Sequence, residues 1–351
     1  MSLELVLSSR FQSTDNRKRE AVRAAHDQDI DTLLELTNHY LTLKSARKAQ
    51  TSEATRRLYA VAIARFLEYC AGQNSQRLEL TRLESDDIEL WLVGLQASGI
   101  KPSSIGTYLN GVRTLYRALV WAKATAHNPA AEVKAPKDPT PAHLKKSALS
   151  PGLYRELVKA SSEKYDPDDP RRSRDALLLA LGGSGGLRAK EIVGLNTTDI
   201  ELPLKRLIVQ SGKGGKRRVI PLSSELLNLL KHWLEVRKSL EILGEIPDTE
   251  SALLVSISRN QSHGRRLTTD GARFIAKGYY LAAGLPSEMF GLHTLRRTAG
   301  THLYRATRDL HVVADVLGHA SVNTSAIYAK MDMDVRREAL EKMEQMRDEL
   351  E

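Results

Sequence analysis

The chain has 351 residues, too many for one ordinary hydrophobic core at roughly 100 to 200 residues per domain, so two domains with connections are expected. Its 41% hydrophobic and 27% charged residues exclude a wholly disordered chain, a collagen-like fibre and a multi-span membrane protein. With 52 Lys and Arg against 43 Asp and Glu, the formal charge of +9 favours a polyanionic partner, nucleic acid ahead of an anionic membrane surface.

Residues 1–29 are polar and carry both charges (Arg17, Lys18, Arg19, Glu20) without a sustained apolar period, which predicts a flexible extension or one ordered on contact. Helical spacing begins at Ile30. Leu33, Leu34, Leu36, Tyr40 and Leu41 mark one helix, and Leu58, Val61, Ala62, Phe66 and Tyr69 a second. A third is expected from Asp86 as N-cap through Trp91 to Gly99, and a fourth from about Ser103 through Tyr108, Val112 and Tyr116 to Leu119. Together they predict a compact helical domain over 30–125. Pro129, Pro136, Pro139 and Pro141 crowd a stretch with neither helical nor strand period, so 126–147 reads as a linker. Beyond it, over 148–335, helical runs surround a β-hairpin made of Arg206–Val209 and Arg218–Leu222, with a glycine-bearing basic turn at 212–216. The fold class is thus mainly α with a small β-sheet. Residues 336–351 form a charged amphipathic segment with Leu340, Met343 and Met346 on one face.

Four short motifs carry chemistry. Lys205 to Arg218 holds six cations and no acid, with glycines that let backbone approach a phosphate; it is not a nucleotide-binding P-loop, because the required spacing and the following helix are missing. In GLRAKE, Arg188 sits at a helix start, where amide N–H groups and a guanidinium suit an anion, and Glu191 can buttress it. In HTLRR, His293 and Arg296 lie one turn apart with Leu295 directed to the core. In LGH, His319 follows a helix-ending Gly318, and Tyr328 comes nine residues later. Taken singly, each motif has a bland reading as well: a solvated loop, a structural Arg–Glu pair, a surface His and Arg, a half-buried core Tyr. No HExxH, paired CxxC or DxD-type cluster appears, so neither a metal nor another cofactor is expected. The single cysteine, Cys70, cannot form an internal disulfide, and the opening MSLELVLSSR lacks the pattern of a secretion signal; a cytoplasmic location is expected.

In order and spacing, Arg188, Lys213, His293, Arg296, His319 and Tyr328 resemble the tyrosine recombinase family, also called phage integrases, and its Xer-type members in particular. The resemblance covers about residues 30–345. It implies a helical SAM-like core-binding domain and a catalytic domain that close as a C-shaped clamp on duplex DNA carrying a specific recombination site. It implies Tyr328 as nucleophile, Arg188 and Arg296 as clamps on the scissile phosphate, and Lys213 as proton donor to the leaving 5′ oxygen. His293 would serve in acid–base chemistry and His319 would hydrogen-bond the phosphate. The tail, 336–351, would be passed to a neighbouring subunit, closing a homo-tetramer, with a second recombinase as a possible hetero-partner. DNA contacts are expected from Lys216, Arg217, Arg218, Arg273 and Lys277, and from Ser104, Tyr108 and Arg113. Arg297 stands where many relatives have His. A type IB topoisomerase uses similar chemistry, and a non-catalytic DNA-binding regulator could keep the fold; the intact six and the segment after Tyr328 favour a recombinase.

Overall fold

A computed structural model describes residues 9–46, 51–72, 77–140, 148–164, 166, 168–210, 217–258, 261–319 and 321–331, with 337, 340, 341, 343 and 345 beyond. The chain divides into two units, residues 1–139 and 140–351, at a boundary inside the proline-rich stretch.

The first unit is helical: α1 (Thr14–Asp27), α2 (Ile30–Lys44), α3 (Glu53–Ala71), α4 (Ser85–Ala97) and α5 (Pro102–Trp121). Ser13, Asp29 and Ser52 each accept a backbone N–H from the first turn of the helix that follows, and Pro102 opens α5 where its missing N–H costs nothing. The N-cap of α4 is Glu84, two residues before the expected Asp86, because the Asp87 carboxylate accepts the Glu84 N–H at 2.9 Å and closes the first turn from there. Phe66 packs edge-on against Trp91 and Tyr116 at the centre of this core. Cys70 is fully buried, which pushes its thiol up to about 12 and leaves it inert.

Residues 9–29 depart from the expected extension. Residues 14–27 are helix α1, and Phe11, Ala21, Ala24 and Ala25 are buried in the core of the first unit. The buried stripe is alanine at helical spacing, so an apolar pattern built on larger side chains does not register it. The charges are used as well: the Arg17 guanidinium lies 4.1 Å over the Trp121 ring, which also stacks on His39. The proline-rich stretch is likewise partly folded. Ala130 and Val133 are buried in the same core, and Arg113 donates to the carbonyls of Ala130 and Val133.

The second unit contains α6 (Pro151–Glu163), α7 (Pro170–Gly183), α8 (Ala189–Gly194), β1 (Ile200–Glu201), β2 (Arg206–Val209), β3 (Arg218–Pro221), α9 (Ser224–Ile242), α10 (Thr269–Ala282), α11 (Leu292–Thr307), α12 (Leu310–Leu317) and α13 (Val322–Met331). The α7 helix is its central post: Leu177 to Leu181 are wholly buried, and α6, α9 and α11 pack around it. A helix apolar on every side must be enclosed. The hairpin forms as expected, antiparallel, with Val209 opposite Arg218 as the last pair before the turn; β1 adds a short third strand along β2. Among the described residues, no helix is long and apolar enough to cross a membrane.

Candidate active site

Four of the six motif residues converge within the second unit. Arg188 is the N-cap residue of α8; its backbone N–H and guanidinium both donate to the Glu191 carboxylate, at 2.8 and 2.7 Å, and its other amine reaches the Gly318 carbonyl at 3.4 Å. Arg296, on α11, is 8% exposed and donates to the carbonyls of Gly186 at 2.5 Å and Leu317 at 2.7 Å. Those two carbonyls flank Arg188 and His319 in sequence, so one guanidinium fastens together the two loops that carry the other groups. Gly318 caps α12 with φ of 64°, a left-handed backbone that glycine adopts freely, and this turns the chain so that His319 faces α13.

His319 hydrogen-bonds the Ser325 hydroxyl at 2.7 Å and lies nearly parallel to the Tyr328 ring, 6.1 Å between centroids and 7° between planes. Tyr328 is 6% exposed, packed with Ala299, Val313 and Leu317. Its seat exists because residue 300 is glycine: a Cβ there would stand 2.5 Å from the ring. His293 opens α11 and is exposed, one turn from buried Arg296. Lys213 and Lys216 lie outside the described residues.

The electrostatics fit an anion receptor. Burial and the Arg188 charge lower Arg296 to about 10, still cationic at neutral pH. Burial, together with Arg296, Arg188 and Arg218, lowers His319 to about 4, so it is a neutral imidazole at pH 7. Burial also raises the Tyr328 phenol, while Arg296, Arg297 and Arg188 pull against it. Burial would raise Glu191, yet hydrogen bonds and charge from Arg218 and Arg188 bring it down to about 2.

Two residues expected to face DNA are turned inward. Arg218 donates both amines to Glu191, at 2.9 and 2.8 Å, with its side chain only 12% exposed. Arg113 is spent on the backbone of 130–133, as described above, and on the Asn110 side chain. In each case an acceptor within reach in the fold captures the guanidinium. Arg217, Arg273 and Lys277 are exposed, Arg273 paired with Asp270 at 2.8 Å. Ser104 and Tyr108 are half-buried on α5, the Tyr108 ring beneath the Arg65 guanidinium. Motif reading overlooked Ser325 and Gly300; Ser325 acts on His319, six residues before it, and Gly300 on Tyr328, 28 residues after it, and only the fold brings each pair into contact.

Guanidiniums, a neutral imidazole and a phenol brought together in this way define a class of site, one that binds a phosphate group and offers it a hydroxyl nucleophile. Comparison with known proteins narrows the class. The Phage integrase family model matches residues 149–334, and the Phage integrase, N-terminal SAM-like domain model matches 38–123. Tyrosine recombinase XerC 1 of Ralstonia nicotianae is 32% identical over 302 residues, covering 83% of this chain and 87% of its own. Tyrosine recombinase XerD of Vibrio cholerae is 29% identical over 299 residues, covering 85% and 90%. A XerH site-specific recombinase in a post-cleavage complex with palindromic difH substrate shares the fold at a TM-score of 0.67 and 21% identity, over 96% of this chain and 99% of that one. A lambda integrase dimer bound to a COC′ core site shares it at 0.60 and 19%, over 85% and 76%. The chain belongs to the phage integrase family. It is a site-specific recombinase of the tyrosine type.

Proposed function

We propose that this enzyme cuts and rejoins duplex DNA at a specific site through a covalent 3′-phosphotyrosine on Tyr328. The observation that carries the reading is the convergence of Arg188, Arg296, His319 and Tyr328 around the turn at Gly318. The Tyr328 Oη attacks the scissile phosphorus while the bond to the 5′ oxygen breaks, and Lys213 delivers the proton that the leaving oxygen needs. His293 takes part in the proton transfers as acid or base. Arg188 and Arg296 stabilise charge on the non-bridging oxygens, with His319 donating a hydrogen bond to one of them. The bond energy is kept in the phosphotyrosine, so a 5′ hydroxyl from another strand can reverse the step without ATP. Two guanidiniums and a lysine supply the positive charge such a transition state requires, so the residues at hand suffice without a metal. Because Tyr328 is buried on Gly300, attack also requires α13 to release the ring when DNA binds.

The assembly expected is a homo-tetramer on paired sites, closed by exchange of the 336–351 tail, or a mixed tetramer with a second recombinase. Of the described tail residues, Leu340 and Met343 are exposed apolar side chains, which supports a role on another surface. Lys216, Arg217, Arg273 and Lys277, with Ser104 and Tyr108, remain the expected DNA contacts. The cytoplasm, where chromosomal DNA is reached, is the expected location. The test is strand exchange between two differently labelled duplexes carrying the site recovered from covalently captured genomic DNA. Recombinant duplexes are expected; relaxation of supercoiled DNA without exchange would favour a topoisomerase, and binding without any cutting would favour a regulator.

A further inference from the structure

Arg218 was expected to touch DNA, and its surroundings give it other work. It flanks the hairpin turn, opposite Val209, five residues after Lys213. From there it grips both oxygens of Glu191, the same carboxylate that holds the Arg188 backbone and guanidinium. Its stem runs beneath Gly318: a Cβ on that residue would stand 2.6 Å from the Arg218 Cδ, and the Arg218 Nε is buried there without a hydrogen-bond partner among the described residues. Arg218 therefore joins three segments, the hairpin, α8 and the turn before His319.

We propose that Arg218 is a positioning residue for strand cleavage: it neutralises Glu191, so that the carboxylate can hold Arg188 in place without cancelling the charge Arg188 brings to the phosphate. A lone Arg188–Glu191 pair has no net charge and would draw the guanidinium toward the carboxylate. With Arg218 forked beneath, Glu191 is shared, the trio carries one net positive charge, and Arg188 retains donors for a ligand. The same grip fixes the strand end that adjoins the segment bearing Lys213. The proposal rests on the reading of Arg188 as a phosphate clamp.

The experiment is single-turnover adduct formation on a nicked duplex carrying the captured site, with Arg218→Met, Arg218→Lys, Glu191→Gln and the double variant Glu191→Gln/Arg218→Met. For Arg218→Met the cleavage rate is expected to fall about 10²-fold, the scale of a misplaced catalytic group, with unchanged affinity and salt dependence for intact duplex. Arg218→Lys, which keeps the charge and loses the fork, falls less. The double variant removes the charge together with its compensator and regains about tenfold over Arg218→Met; free of a buried carboxylate that has lost one of its two guanidinium partners, it also keeps the test alive should the single variant unfold. Three results would each overturn the role of Arg218 alone: a wild-type rate in Arg218→Met, a double variant no faster than it, or weakened binding with a shallower salt slope, the sign of a direct phosphate contact. Absence of any adduct from the wild-type chain would instead overturn the functional reading beneath it.

Discussion

Arg296 keeps its charge where burial opposes it, and two backbone carbonyls meet its donors while, among the described residues, no carboxylate pairs with its charge in direct contact. A cation held this way is prepaid for an anionic transition state. Replacing Arg296 or Arg188 by Ala is expected to cost roughly 3 kcal/mol or more of transition-state stabilisation, read as the single-turnover cleavage rate. A wild-type rate in either variant would remove it from the clamp. His319 makes a pH prediction. An unfolded histidine titrates near 6.5, and the folded His319 near 4, so between those values the unfolded chain binds the extra proton and stability falls as pH is lowered. Glu191 works in the same direction at lower pH: its contribution is present above the ordinary carboxylate pKa and is lost as pH falls toward about 2. The melting temperature should therefore drop more between pH 6.5 and 4 for wild type than for His319→Gln; parallel curves would contradict the assignment. At this scale the motifs were readable because Arg188 and His319 sit at a helix start and a helix end marked by glycine, and Tyr328 follows His319 by nine residues. The partners of Arg113 and Arg218 were not readable, since Val133 and Glu191 lie 20 and 27 residues away.

Among the elements, α1 teaches the clearest lesson. A helix whose buried stripe is Ala21, Ala24 and Ala25 hides from a search for large apolar residues. Phe11, just before it, supplies the anchor. Phe11→Ala is expected to cost about 3 to 5 kcal/mol, as a fully buried aromatic does, measured by denaturant unfolding. A change under about 1 kcal/mol would show the N-terminal segment to be peripheral after all. The helices from α2 to α5 were legible because Leu, Phe and Trp repeat at helical spacing, and the hairpin because two short runs rich in β-branched residues flank a glycine-bearing turn. The two-residue β1 was beyond reach: Ile200 and Glu201 become a strand only by pairing with Leu207 and Arg206. For α13, the fit between Tyr328 and Gly300 predicts that Gly300→Ala, whose Cβ would stand 2.5 Å from the ring, destabilises the second unit by about 1 to 3 kcal/mol. The thermal unfolding midpoint checks this, and an unchanged midpoint would mean that α13 does not hold the ring there.

For the whole molecule, the positive balance of charge is meaningful only as a binding surface for phosphates. Duplex affinity should fall steeply with salt, on the order of 10³- to 10⁵-fold between about 50 and 200 mM for 6 to 10 phosphate contacts. The fold sharpens that expectation: exposed Arg217 and Lys277 should each lower the salt slope by about one when neutralised, and Arg113, bound to backbone carbonyls, should not. Equal effects from all three would mean that Arg113 leaves its carbonyls to meet DNA.

The central claim is that Tyr328 becomes covalently joined to DNA. The direct measurement is to trap the adduct on a nicked duplex from which the short 5′-hydroxyl fragment diffuses away, digest the protein, and locate the nucleotide-bearing peptide by mass. The account predicts a 3′-phosphoryl nucleotide on the peptide containing Tyr328, and none from Tyr328→Phe, which should bind the same duplex with nearly unchanged affinity. A phosphoryl group on any other side chain, or an adduct surviving in Tyr328→Phe, would contradict it.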